Sequence, residues 1–163
     1  MVYYCPRPTF PEVRVTLARR LVLVAIAVAL AAACTGCERT ARITYIPEGG
    51  SYEVADLDAV LADADLSRAE KVAADDVLTA RQEALADLRT YGEDASRLAD
   101  TLTSEFPVDV AAIPVVIERC AYQGRAAWIV IEAWAEPGAP LTYRRLWVFS
   151  QDTYRVIAAT SLR

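Results

Sequence analysis

The sequence predicts an α+β domain: a helical layer over about 54–105 packed on a four- to five-stranded antiparallel β-meander over about 114–162. Three observations predict it. Val72, Val77, Ala80, Ala84, Leu88 and Tyr91 recur at helical spacing. Further on, four runs rich in β-branched and aromatic residues are separated by short turn-forming segments. Charge divides the same way: Glu53 to Asp109 holds fifteen acids and five bases, Val110 to Arg163 four acids and six bases.

Taken in order, Arg42–Pro47 (RITYIP) has a strand's composition, and Glu48-Gly49-Gly50-Ser51 follows as a turn. A short helix is expected over Val54–Ala64. Ser67 and Glu70 have the spacing of a capping box, which places the start of the long helix there. Gly92 is expected to kink or break that helix, although Arg89, Glu93 and Arg97, spaced four apart, suit a continuous one. Beyond the break, Asp94 is placed to cap a helix that turns Ala95, Leu98, Ala99 and Leu102 inward. Phe106-Pro107 ends the helical region. The meander strands are Pro114–Tyr122, Arg125–Glu136, Leu141–Ser150 and Thr153–Leu162.

Two-residue connections at Gln123-Gly124 and Gln151-Asp152 suit tight hairpins. They pair Tyr122 with Arg125 and Ser150 with Thr153. In the middle hairpin, setting Glu132 opposite Arg144 gives a favourable cross-strand ion pair. One face then carries Cys120, Tyr122, Ile129, Ile131, Trp147 and Phe149, and is expected to pack on the long helix. The other carries Arg119, Trp128, Glu132, Trp134 and Arg144. A bulge in the Pro137-Gly138-Ala139-Pro140 loop would exchange the faces of the last two strands. The order of elements has the layout of cystatin-like and NTF2-like domains. It is an analogy of layout, and the glutamine-valine-glycine inhibitory loop of cystatins has no match at Tyr122-Gln123-Gly124.

Ahead of the domain, Arg19-Arg20 precedes thirteen apolar residues, Leu21–Ala33, which end in small residues at Cys34-Thr35-Gly36-Cys37. A basic flank, a short apolar run and a small-residue exit are the parts of an export signal. Spanning a bilayer takes ~20 apolar residues, so a retained transmembrane anchor is the weaker reading. The proline- and tyrosine-containing stretch before Arg19 is left out of fold reasoning. Leu30-Ala31-Ala32-Ala33-Cys34 resembles the lipobox of bacterial membrane lipoprotein precursors, with alanine where that family usually has leucine. Thr35-Gly36-Cys37 offers an alternative. The resemblance implies a signal peptide over 1–33, a diacylglyceryl thioether on Cys34 (alternatively Cys37) and a tether over 34–41. It also implies an address on the extracytoplasmic side of the cell membrane or outer membrane. An ordinary secretory cleavage after Ala33 stays open.

Removing residues 1–33 takes away Arg7, Arg14, Arg19, Arg20 and Glu12, leaving 13 basic and 21 acidic side chains and a formal charge of −8. So acidic a chain is a poor ligand for nucleic acid. It is also a poor electrostatic ligand for anionic lipid, so membrane attachment falls to the covalent anchor. Histidine is absent, which removes imidazole bases, Ser-His triads and the commonest metal ligand. No cofactor or metal site is expected. The pairs Asp63/Asp65 and Asp75/Asp76 lack the alternating pattern of a calcium loop and suit helix starts instead.

If Cys34 carries lipid, Cys37 and Cys120 are left to form a disulfide; otherwise Cys120 is a buried small hydrophobe. Trp128, Trp134, Arg119 and Arg144 are the candidate interface, since tryptophan on a partly charged sheet face marks many interfaces. The plainer reading stacks Arg119 over Trp128 as a cation–π pair under a helix or the first strand. On the interface reading, replacing both tryptophans weakens partner capture and leaves thermal unfolding nearly unchanged. The expected partners are the membrane, through the anchor, and another envelope protein or a small apolar ligand. The function is then that of a non-catalytic envelope binding module. An enzyme with a carboxylate base in an NTF2-like pocket and a purely structural assembly subunit are the alternatives.

Overall fold

The computed structural model describes residues 42–106 and 111–163. The expected signal peptide (1–33) and tether (34–41), with Cys34 and Cys37, therefore lie outside the described residues.

The fold is α+β, with a mostly antiparallel sheet of six strands. These are β1 (Thr44–Ile46), β2 (Ser51–Tyr52), β3 (Ala111–Tyr122), β4 (Arg125–Ala135), β5 (Tyr143–Ser150) and β6 (Val156–Leu162). Among the described residues three α-helices accompany it: α1 (Leu57–Asp63), α2 (Val77–Leu88) and α3 (Glu93–Ser104). The path across the sheet is β1-β3-β4-β5-β6, and β2 also pairs with β3. Both short strands run parallel to β3, with Thr44 opposite Val116 and Tyr52 opposite Tyr122. Pro47, which has no N–H to give a ladder, falls between them. Gly49 N–H (2.7 Å to Arg119 O) then restores the pairing along the same edge.

The long-helix start expected at Ser67 does not form. Ser67 N–H donates instead to Asp65 Oδ1 (2.9 Å), Ala69–Lys71 and Ala74–Asp76 make single 3₁₀ turns, and α2 begins at Val77. Gly92 does break the helical region: its φ of 105° lies where only glycine sits without strain. Arg89 then bonds Asp100 Oδ1 of α3 (2.9 Å), and Glu93 pairs with Arg97 within α3.

The hairpin at Gln123-Gly124 has the expected register. Both residues have positive φ (50° and 72°), as a type I′ turn requires. The other two registers differ from expectation. Pro137-Gly138 closes a turn with Gly138 at φ 81° and Ala139 N–H on Glu136 O. The chain then travels on to Tyr143 and sets Glu132 opposite Arg145 rather than Arg144. The last connection is not a two-residue turn. Tyr154 adopts φ 55°, Ser150 N–H bonds Arg155 O, and Phe149 pairs with Val156, with an irregularity beside Val148.

The shift at Glu132 turns β5 over and corrects the assignment of faces. Trp128, Val130, Glu132 and Trp134 share a face with Phe149, Trp147, Arg145 and Tyr143, their partners across the ladder. That face, not the other, packs on α2 and α3: Ile117, Trp128, Val130 and Phe149 meet Ala84, Leu85, Leu88, Leu98 and Leu102 in one core. Phe106, just past α3, sets its ring edge-on to Trp147 and Phe149 (centroids 5.0 and 5.7 Å). The opposite face carries Cys120, Tyr122, Ile129, Ile131, Leu146 and Val148, and is covered by Leu57 and Leu61 of α1. The central strand β4 is thus buried on both sides over most of its length.

Glu132 is fully buried and held on all sides. Arg81 Nη1 of α2 donates to its Oε1 (2.9 Å), while Arg145 Nε (2.7 Å) and Trp147 Nε1 (2.8 Å) donate to Oε2. Arg81 also donates to the carbonyls of Ala112 (3.1 Å) and Leu102 (3.0 Å), tying α2, α3 and β3 to the carboxylate. Burial pushes the Glu132 carboxyl up, but the Arg145 and Arg81 guanidiniums and the indole N–H outweigh it and hold it below the usual carboxylate range.

Candidate functional site

Helix α1 is only seven residues long and covers the β4–β6 side of its sheet face. Arg144 reaches its C-terminus, donating from Nη1 to the carbonyls of Leu61 (3.4 Å) and Ala62, where a cation complements the free carbonyls. Thr160 Oγ1 of β6 donates to Asp58 Oδ1 (2.7 Å) on the same helix. So anchored, α1 leaves the β1–β3 side of the face open. The result is a half-open cleft of about 430 Å³ between α1, β1 and the segment Asp65–Arg68. Its apolar lining is Ile46, Val60, Val115, Val116 and Ile131, and all but Ile131 are partly exposed. Cavities of this size suit small ligands.

At one end of the cleft stands Glu118, 6% exposed. Its Oε1 accepts from Gly50 N–H (2.9 Å) and from Tyr52 O–H (2.8 Å). Burial, reinforced by the carboxylate beside it, pushes the Tyr52 phenol up to about 12, so it remains a donor. Gly49 has no room for a side chain, because a Cβ there would lie 1.9 Å from Glu118 Oε1. At the other end, Arg42 and Arg68 line the rim with Asp63 and Asp65. The Asp65 carboxyl is held below its usual range, first by the Ser67 backbone N–H and then by the Ser67 side chain. Neither Arg42 nor Arg68 has a carboxylate within ion-pair distance among the described residues.

No family model, curated protein or solved structure matches this chain. The reading of the site therefore rests on its geometry alone.

The four interface residues expected from the sequence do not form one surface. Trp128 is 1% exposed, under Tyr45 of β1 (centroids 6.3 Å) and the Arg119 guanidinium (5.5 Å), which is the plainer reading of that pair. A ring so covered has no surface to offer a partner. Arg119 is spoken for as well, near Asp94 of α3 (3.7 Å) and Gln151 Oε1 (3.4 Å). Trp134 is half-buried, against Tyr143 (4.9 Å) and under Arg163 (5.7 Å). Arg144 lies on the opposite face, at the end of α1. Glu118 and Glu132 also lie on opposite faces, so they do not form an acid/base pair. Among the described residues there is no cluster of His, Cys, Asp and Glu able to hold a metal ion, and no helix long and apolar enough to cross a membrane.

Cys120 is buried and makes no disulfide among the described residues, while the expected partner Cys37 lies outside them; its thiol Sγ faces Ala127 O (3.7 Å). Burial, then the Glu118 charge, pushes it up to about 12. Relative to an ordinary thiol, that lowers the reactive thiolate about a thousandfold at pH 8. We expect maleimide to leave Cys120 unlabelled in the native protein over hours and to label it fully in urea, read by peptide mapping. Rapid native labelling would show that Cys120 itself is not sealed from solvent.

Cleft residues were hard to see in the sequence. Glu118 sits in an ordinary strand pattern, and Arg42 and Arg68 are isolated arginines 26 positions apart. The one local signal is Gly49-Gly50, which marks a close approach of backbone to another group.

Proposed function

We propose that this chain is a bacterial cell-envelope lipoprotein whose α+β domain binds a small ligand, without catalysis, in the cleft beside α1. The observation that carries the binding reading is the uncovered half of a sheet face: partly exposed Ile46, Val60, Val115 and Val116 gathered in one concavity with charged groups at its rim. Apolar surface left open in this way is the usual mark of a binding site. The anchoring reading is supported by the basic flank, the apolar run Leu21–Ala33 and the small residues before Cys34 and Cys37. Two or more acyl chains, at ~0.8 kcal/mol per buried methylene, hold such a chain stably on a bilayer. From Cys34, the eight residues 34–41 would allow the domain at most ~28 Å of reach.

Intact-mass spectrometry of membrane-extracted protein tests the anchor. The expected species begins at Cys34 or Cys37 and carries a diacylglyceryl adduct. A retained leader, or a mature chain with every thiol unmodified, would overturn it. A second reading, an enzyme with a carboxylate base, has the position of Glu118 in its favour. Oε1 of that carboxylate already accepts two hydrogen bonds, however, which leaves less of it to take a proton from a substrate.

A further inference from the structure

We propose that the ligand of this cleft is a short linear peptide with free termini, about three residues long, lying extended between Arg42/Arg68 and Glu118. The proposal rests on the reading of the cleft as a binding site and adds the chemical class.

The cleft is bipolar. Arg42 and Arg68 line one end together with Val115, and the same three residues line the small adjoining recess over Ile113 and Pro114, so the two guanidiniums share one locality. Glu118 and Tyr52 occupy the other end. Ile46 is level with Glu118 in the parallel ladder, four residues on from Arg42. At ~3.3 Å per residue the two ends are ~13 Å apart along the strand, and arginine side chains shorten the gap. An extended peptide of three residues spans ~10 Å.

Each end suits one terminus. A guanidinium matches a carboxylate by geometry as well as charge, and two arginines line this end. Glu118 is a buried acceptor whose Oε2 has no hydrogen-bond partner among the described residues, a place for an ammonium group. Between the ends, Val60, Val116 and Ile131 offer an apolar floor for a central side chain. Asp63 and Asp65 beside Arg68 count against a polyanion such as a nucleotide. A wholly apolar ligand would leave the Glu118 carboxylate without a partner for its second oxygen.

Methyl NMR of the full-length protein, following Val60, Val116 and Ile131, tests this with three probes. They are Ala-Leu-Ala with free termini, the same peptide N-acetylated and C-amidated, and N-acetyl-leucine amide. The free tripeptide is expected to shift these methyls saturably, and capping both ends to weaken binding about tenfold or more. The double variant Arg42→Ala/Arg68→Ala, at exposed positions, should lose the preference for a free carboxylate. Glu118→Gln should lose the preference for a free amine. If all three probes bind alike, the cleft binds ligands and the peptide class is wrong. Should no probe move the methyls, the binding reading falls with it.

Discussion

Glu132→Gln is expected to remove about 3–5 kcal/mol of stability at pH 7, the cost of breaking a buried ion pair from one side. The substitution keeps the shape and removes the charge that two guanidiniums share. Arg81 is left buried against carbonyls with no counter-ion, and Arg145 is left half-buried beside it. Domains are stable by about 5–15 kcal/mol in all, so the loss is a large share. In urea, with a slope of about 1–3 kcal/mol per molar, the midpoint should fall by about 1 M or more. A fall equivalent to less than about 1 kcal/mol would show that the cluster is no more than an exposed ion pair in effect.

The pH dependence of this loss has a definite sign. The Glu132 carboxyl titrates lower in the folded chain than in the unfolded one, where it lies near ~4.3. Its stabilisation is therefore complete above that value and is lost as pH falls through the folded one. Below about pH 4 the gap between wild type and Glu132→Gln should narrow, which urea midpoints at pH 7 and pH 3 will show. A gap that widens on acidification would contradict the assignment of Glu132 as the ionised partner of Arg81 and Arg145.

The parts of the fold legible in the sequence are those set by local chemistry. The Gln123-Gly124 turn fixes its hairpin because two positive φ angles are needed there, and Gly92 ends a helix for a similar reason. The four long strands follow from their composition, but β3 begins three residues before its expected start, β5 two after and β6 three after. Facing was not local. In β4, Ala126 to Ala135 is almost continuously apolar, the mark of a strand covered on both sides; reading it as alternating gave the helices the wrong face. The favourable Glu132–Arg144 pairing is off by one: the connection after Glu136 sets Glu132 opposite Arg145, and Arg81, fifty-one positions earlier, shares the carboxylate. The cleft is equally non-local. It exists because Arg144 and Thr160 hold a short helix over one half of a sheet face and leave the other half bare.

Trp128→Ala is expected to cost about 3–5 kcal/mol, lowering the melting temperature by on the order of 10 °C. The ring is enclosed by the α2–α3 core, Tyr45 and the Arg119 side chain, so alanine leaves a cavity that β1 and the helices can close only by shifting. Trp134→Ala should cost much less, about 1 kcal/mol, since that ring is half-buried and loses chiefly its contacts with Tyr143 and Arg163. Trp128→Phe separates area from polarity. The indole Nε1 is buried with no hydrogen-bond partner among the described residues, so phenylalanine gives up ring area and also relieves an unsatisfied donor. Its loss should fall well below that of alanine. The ordering Trp128→Ala, then Trp128→Phe, then wild type in thermal unfolding is the signature of a core residue. If Trp128→Ala instead unfolded like wild type, the ring would have to be open to solvent, and an interface role for that face would return.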